Sequence, residues 1–415
     1  MQSNQNAQIY SIGGKNSRKL GLESVRVAAA SSLSVQYEGH ERLVLENCFG
    51  TEYRPVLTWS MNLGIRASEN RYELWTEIRC SEGVEYQLRL CGWQSGTADV
   101  LKKSLVIGGP LEKPVMLPCD FSGYLSVDLW AKGSGKISVG ELHYREIAGA
   151  EGTFLPGDVR HADGSGEEFF SYLEKMDGKP PLNVYFSGYR TLEGFEGYRM
   201  MHSFGAPFLL LTDPRLEGGK FYIGSEEYEK KLEETIRGAL KELGFDRSQL
   251  ILSGISMGTY GAAYYGAALL PHAVILGKPL MNAGSVAANE RILRPGDFPT
   301  SLDVLRSLEG DIGEEARKRL DQRMWERFDR ADFTNTRFAI AYMQQDDYDP
   351  HAYEDILEHL EGKKVPIYGK GLTGRHNDNT EGIVQWFRSQ YRKILQEDFK
   401  RDMTYGKADL SRILG

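Results

Sequence analysis

The sequence predicts an α/β chain in two parts: an all-β sandwich, then a mainly parallel sheet domain of the α/β-hydrolase type. Three observations carry that expectation. Residues from about 8 to 146 hold short apolar or alternating runs separated by turn formers, with no sustained helical period. Beyond residue 168, apolar strands alternate with amphipathic helices, the pattern of a sheet covered on both faces. Within that second part, Gly254-Ile255-Ser256-Met257-Gly258 follows the apolar run Leu250-Ile251-Leu252 and precedes a small-residue stretch from Thr259 to Leu270. A strand, a sharp turn bearing one serine, and a helix succeed one another, as in a nucleophile elbow.

In the first part, residues 1–147, strands are expected at 43–45, 72–75, 86–90 and 124–130. Turns are expected at Ser81-Glu82-Gly83, Ser95-Gly96, Gly108-Gly109-Pro110 and Lys132-Gly133-Ser134-Gly135. The rings of Trp59, Trp75, Trp93 and Trp130 suit either sugar stacking or, more commonly for strand tryptophans, the core. Residues 148–167, rich in glycine and acid, read as a linker. Residues 168–415 then form the α/β domain. Its strands are expected at 182–186, 207–211, 250–252, 273–276, 338–343 and 365–368. A helix over 226–243 is written in the spacing of Tyr228, Leu232, Ile236, Leu240 and Leu243, with Gly244 to stop it. Further helices are expected at 352–361 and 381–395, and the helical spacing after Tyr391 suits docking on a partner or on the domain itself.

The whole chain sets limits. Its 415 residues carry a net charge of -8 and no basic stripe, which argues against nucleic-acid binding. No run approaches the ~18 apolar residues of a membrane span, and residues 1–8 lack an apolar signal core, so a cytoplasmic protein is expected. Cys48, Cys80, Cys91 and Cys119 show no C-x2-C spacing; they are expected to be buried free thiols, with no metal site.

A serine hydroxyl becomes a nucleophile only when a base takes its proton. In this fold the partners follow in the order serine, acid, histidine, at the carboxyl ends of strands. After Ser256 the candidates are His272, His351, His359 and His376. His272 opens a strand, and His351 and His359 fall at the start of a helix and within it. His376 lies in the loop 369–379, between the last strand and the last major helix, where the base belongs. The acid belongs in Gln344-Gln345-Asp346-Asp347-Tyr348-Asp349-Pro350. Spacing to the proline favours Asp346, with Asp347 and Asp349 as rivals. Donors for an oxyanion are expected at the Met257 N–H and in Phe186-Ser187-Gly188-Tyr189-Arg190, with the Tyr189 N–H favoured and Gly188 opening the turn. Residues 289–333 are helical and densely charged, suiting a lid over the site or an ion-paired, solvated face.

Several of these segments resemble one known family. Asn183-Val184-Tyr185-Phe186-Ser187-Gly188-Tyr189-Arg190, Glu193-Gly194-Phe195-Glu196-Gly197-Tyr198 and Leu211-Thr212-Asp213-Pro214-Arg215-Leu216-Glu217-Gly218-Gly219 look like the acetyltransferase component of the accessory Sec system. So does Ser253-Gly254-Ile255-Ser256-Met257-Gly258-Thr259-Tyr260-Gly261. The resemblance is specific over about residues 180–390 and architectural before that. It implies a sandwich resembling a carbohydrate-binding module joined to an α/β-hydrolase-like domain. It also implies O-acetylation of N-acetylglucosamine on serine-rich repeat adhesins of Gram-positive bacteria, and a role in their export. The implied partners are the glycosylated adhesin and other accessory Sec proteins, including complex subunits and the motor ATPase, placing the protein peripherally at the membrane through the export complex. Ser256 matches the family's nucleophile and His376 its base, and its acid falls in the Asp346 loop.

An acetyltransferase and an acetylesterase share one mechanism as far as the acyl-serine, so a glycan O-acetylesterase is the nearest alternative. A non-catalytic structural subunit of the export complex is the alternative outside enzymology. No phosphate cradle for an acyl thioester is visible, so no bound cofactor is expected and the acetyl donor stays unspecified.

Overall fold

The computed structural model describes residues 11–12, 17–28, 33–66, 71–96, 100–118, 120–147, 152–293, 298 and 301–402. The chain divides into two compact units, Gly13–Pro156 and a second made of Met1–Ile12 with Gly157–Gly415.

Strands without a polar face must be covered on both sides. In the α/β unit Leu182–Phe186, Phe208–Thr212 and Ala273–Gly277 are buried at every residue. The strands are β1 (Val159–Ala162), β2 (Glu168–Glu174), β3 (Leu182–Phe186), β4 (Phe208–Thr212), β5 (Leu250–Ile255), β6 (Ala273–Gly277), β7 (Arg337–Met343) and β8 (Ile367–Leu372). They lie in the order β1-β2-β4-β3-β5-β6-β7-β8. β2 runs antiparallel to both neighbours, and every pairing from β4 to β8 is parallel. This is the α/β-hydrolase sheet. Helices α1 (Tyr198–His202), α2 (Glu226–Leu243), α3 (Met257–Leu269), α4 (Ala283–Leu293), α5 (Ser301–Glu309), α6 (Glu314–Asp329), α7 (Ala352–His359) and α8 (Thr380–Glu397) complete it. After β3 the chain turns first to β4 on one side and later to β5 on the other. Such a reversal opens a crevice beyond the carboxyl ends of the strands.

The helix expected over 226–243 forms over those residues. Ser225 caps it by accepting the Tyr228 N–H, and Gly244 ends it in the left-handed region at φ 73°. The segment 148–167 departs from the linker expectation. Residues 159–162 pair antiparallel with 168–171, and the glycines between them form a turn in which the Asp163 carboxylate accepts the N–H groups of Ser165 and Glu167.

The charged segment 289–333 packs into the domain. Ala316, Leu320, Met324 and Phe328 of α6 join the same apolar core as the sheet. On its polar side, Arg323 pairs with Glu229 of α2, and Arg327 with Glu229 and Glu233. Phe298 of this segment meets the ring of Tyr189 edge-on. At the carboxyl end, Tyr391, Ile394 and Leu395 are buried against the α/β unit, while residues 403–415 lie outside the described residues.

The β unit is an antiparallel sandwich organised by two long strands, Arg42–Ile65 and Gly123–Ile147. Gly123–Ile147 pairs with Arg42–Ile65 along one edge; along the other it pairs first with Val84–Gln94 and then with Arg71–Cys80. The turn expected at Lys132-Gly133-Ser134-Gly135 is therefore an irregularity inside one strand. Register slips on either side of Gly133, whose φ is 95° and whose Cβ would lie 1.9 Å from the Gly83 carbonyl oxygen. Glycine breaks the pairing there without reversing the chain.

Trp59 and Trp75 are buried. Trp93 donates to Ser126 Oγ at 2.9 Å, and Arg89 covers the ring of Trp130 at 3.5 Å. Cys48, Cys80 and Cys91 are free, as expected, but Cys48 is exposed and the other two are only partly buried. Their strands alternate, and these positions do not all face the core. Cys119 lies outside the described residues. Among the described residues no helix is long and apolar enough to cross a membrane.

Candidate active site

β5 ends at Ile255, and α3 begins at Met257, which leaves Ser256 alone to turn the chain. It does so with φ 56° and ψ -127°, a conformation that a side-chain-bearing residue adopts only when its surroundings impose it. Two glycines make room. A Cβ on Gly254 would sit 2.2 Å from the Gly258 carbonyl oxygen, and one on Gly258 would sit 2.1 Å from that of Phe186. Strand, turn and helix are thus in backbone contact, and the serine is pushed out at the carboxyl edge of the sheet. Its N–H donates to the Gly277 carbonyl at 2.8 Å, tying the turn to the end of β6.

His376 lies in the loop after β8, Asp346 in the loop after β7. Ser256 Oγ lies 2.8 Å from His376 Nε2, and His376 Nδ1 lies 2.8 Å from Asp346 Oδ2. A carboxylate only accepts, so Nδ1 carries the proton and Nε2 is left to accept the serine hydroxyl. Both His376 and Asp346 are buried. Burial pulls the imidazole toward its neutral form, below the ordinary histidine value, against the opposing pull of Asp346. The ring of Tyr348 covers the imidazole at 4.3 Å.

The three aspartates of this loop do separate jobs. Asp346 Oδ1 accepts the N–H groups of Tyr348 and Asp349 at 2.8 and 3.2 Å, which aims Oδ2 at the histidine. Asp347 accepts the backbone N–H of His376 at 3.0 Å. Asp349 faces away, accepting the N–H groups of Met281 and Asn282 at 2.7 and 2.8 Å. Burial raises its carboxyl to about 6.

Of the backbone groups expected to face an oxyanion, Met257 opens α3 directly after the serine, where a helix leaves its N–H groups without partners of its own. The Gly188 N–H is already committed: it donates to Glu196 Oε2 at 2.7 Å. Gly188 therefore shapes the turn and is withdrawn as a donor. Tyr189 follows it, half-exposed, with its ring edge-on to Phe298 at 5.3 Å.

The loop after β4 supports this region. The Asp213 carboxylate binds the Arg215 guanidinium at 2.8 and 2.7 Å and accepts the N–H groups of Lys220 and Tyr222 at 2.9 and 3.1 Å. Those bonds hold Leu216, Phe221 and Tyr222 at φ 56°, 55° and 62°, a left-handed backbone that side chains resist. Tyr222 then donates to the Ser187 carbonyl at 2.7 Å, fixing the peptide before Gly188.

The other histidines are engaged elsewhere. His272 pairs with Asp398, His359 with Asp329 under the ring of Trp325, and His351 stands just before α7. Reading the sequence missed Glu196, Asp213 and Lys278, the last a buried lysine taken up below.

The accessory Sec system GspB-transporter family matches residues 1–401. The chain belongs to that family. It is 42% identical over 400 residues to an accessory Sec system protein of Staphylococcus aureus, covering 96% of this chain and 76% of the relative. It is also 42% identical over 366 residues to one of Streptococcus gordonii, covering 88% and 72%. A solved glycosylation-associated protein complex (Gap123) from Streptococcus agalactiae contains a chain 42% identical to this one. That chain has a TM-score of 0.90, with 97% of this chain and 78% of that one covered.

Proposed function

We propose that this family member is a serine O-acyltransferase. It moves an acetyl group to N-acetylglucosamine on serine-rich repeat adhesin glycans and works with other accessory Sec proteins, at the cytoplasmic side, in adhesin export. The observation that carries the chemistry is the hydrogen-bonded series Asp346, His376, Ser256, with the serine on a strained strand-to-helix turn. Family membership supports the export role, and likeness to a chain of a glycosylation-associated protein complex supports a glycan acceptor.

In the first step Ser256 Oγ attacks the acetyl carbonyl carbon of a donor while His376 Nε2 takes the hydroxyl proton. The carbonyl π pair moves to oxygen, where the N–H groups of Met257 and Tyr189 receive it. When that pair returns, the bond to the donor's leaving group breaks, and the leaving group takes the proton from His376. Acetyl-Ser256 remains. In the second step His376 takes a proton from the sugar hydroxyl, whose oxygen attacks the acetyl carbon. Ser256 then leaves with the proton, releasing the O-acetyl sugar. Asp346 accepts the Nδ1 proton's hydrogen bond throughout, holding the imidazole in the tautomer that leaves Nε2 free.

The test is mass spectrometry of glycans on the secreted adhesin, from cells carrying the natural protein or Ser256→Ala. Loss of sugar acetylation while adhesin is still exported is the expected result. Unchanged acetylation, with the variant folded and present, would overturn the catalytic reading and leave a structural subunit of the export apparatus.

A further inference from the structure

Lys278 is the first residue after β6 and is only 4% exposed. Its backbone is left-handed at φ 55°, and its N–H donates to the Ala341 carbonyl of β7 at 2.7 Å. A buried ammonium is expensive to desolvate, and a lysine at this φ adds strain. Core packing would be met more cheaply by an apolar side chain, so the charge asks for another reason. Its Nζ donates to Thr380 Oγ1 at 2.7 Å, at the first turn of α8, just past the loop that carries His376. Among the described residues it makes no close ion pair. Three carboxylates act on it from further off: Asp346 after β7, Asp378 in the histidine's own loop, and Glu196 in the loop after β3. Burial outweighs them and brings the ammonium down to about 8, which leaves it charged at neutral pH.

His376 is surrounded by groups from each neighbouring element. Asp346 and Asp347 come from the loop after β7, Tyr348 lies on its ring, Ser256 meets Nε2, and Lys278, held at Thr380 four residues past His376, acts on it through its charge. Arg375 and Asp378, in its own loop, face each other at 3.6 Å. The two aspartates favour a proton on the imidazole; burial and Lys278 oppose it. Asp346 orients the ring but its charge favours a proton on His376; burial is the largest force against that proton, and Lys278 adds to it.

We propose that Lys278 is a positioning residue for charge: fixed by Thr380 beside the Asp346–His376 pair, its ammonium disfavours the imidazolium and keeps His376 in its neutral, proton-accepting form. The inference rests on the serine-enzyme reading above, and extends it with a residue that touches neither substrate nor serine.

The experiment follows the pH dependence of kcat/KM for hydrolysis of p-nitrophenyl acetate by the full chain. It compares the natural protein, Lys278→Met and Lys278→Arg, alongside titration of the His376 imidazole by NMR. In Lys278→Met the acid limb is expected to move up by about 0.5–1 pH unit, with the imidazole titration moving alongside it. Arginine, which keeps the charge, should hold both near their natural positions. A uniform fall in activity, with limb and titration unmoved, would overturn the proposal and leave Lys278 a strut for α8. Lys278→Gln gives the same readings if methionine impairs folding. The imidazole titration needs no turnover. A chain without esterase activity would therefore count against the serine-enzyme reading, while still showing whether Lys278 acts on His376.

Discussion

Three aspartates within four residues share one loop, and their hydrogen bonds sort them. Asp346 meets the imidazole, Asp347 meets only the backbone N–H of His376, and Asp349 anchors the loop after β6. Asp346→Asn should lower the rate of acylation by p-nitrophenyl acetate on the order of 10⁴-fold, because an amide NH₂ at that point favours the wrong tautomer. Asp347→Asn keeps a carbonyl acceptor for the same N–H and should cost less than about tenfold. Stopped-flow acylation of the two variants checks both; comparable losses would contradict the assignment. The proline spacing already favoured Asp346, and the order of serine, acid and histidine was legible along the chain. Glu196 and Lys278 were not. Their importance comes from neighbours brought up by other strands, and a lysine after a strand carries no local sign of it.

Among the elements, the turn between β5 and α3 is the most tightly specified, and substitutions divide sharply according to what a new methyl group would meet. Gly258→Ala drives a Cβ into the Phe186 backbone, which has no flexible end to yield. It should destabilise by about 1–3 kcal/mol and abolish labelling of Ser256 by a fluorophosphonate. Gly238→Ala is the matching control, since a Cβ there meets nothing within 4 Å on the exposed side of α2. It should stabilise by about 0.5–1 kcal/mol and leave labelling intact. Thermal unfolding with the labelling assay reads both. Strong local signals account for the elements that were legible, such as the capped and periodic α2 and the elbow itself. Glycine clusters were ambiguous. Residues 132–135 carry the composition of a turn, and only pairing with two partner strands makes them a bulge; at 163–166 similar residues do reverse the chain. The charged segment 289–333 hid its apolar stripe, because in α6 charged residues, some of them paired with α2, stand between Ala316, Leu320, Met324 and Phe328.

At the scale of the molecule, each unit has its own apolar core, and the α/β unit also holds buried ion pairs. Glu167 is the clearest case. Burial opposes its charge, but Arg215 and Lys220, each at 2.7 Å, hold its carboxyl down to about 2. A carboxylate depressed from an ordinary 4.5 adds stability that is complete above that value and fades as pH falls toward 2. Glu167→Gln should therefore cost about 2–3 kcal/mol at neutral pH and flatten the loss of stability between pH 4.5 and 2. Calorimetry should show the change in the α/β unit's transition and none in that of the β unit.

Ser11–Ile12 pairs antiparallel with Phe195–Glu196, inside the α/β unit, although Gly13–Pro156 intervenes along the chain. The β unit is therefore spliced into its companion, like a parenthesis opened early and closed late. During synthesis Ser11–Ile12 leaves the ribosome long before its partner exists, and the whole β unit is made in between. The seam that finally closes lies at Glu196, whose carboxylate grips the Gly188 peptide next to the serine. Residues made before the β unit thus pair, once it is complete, with the strand that holds Glu196.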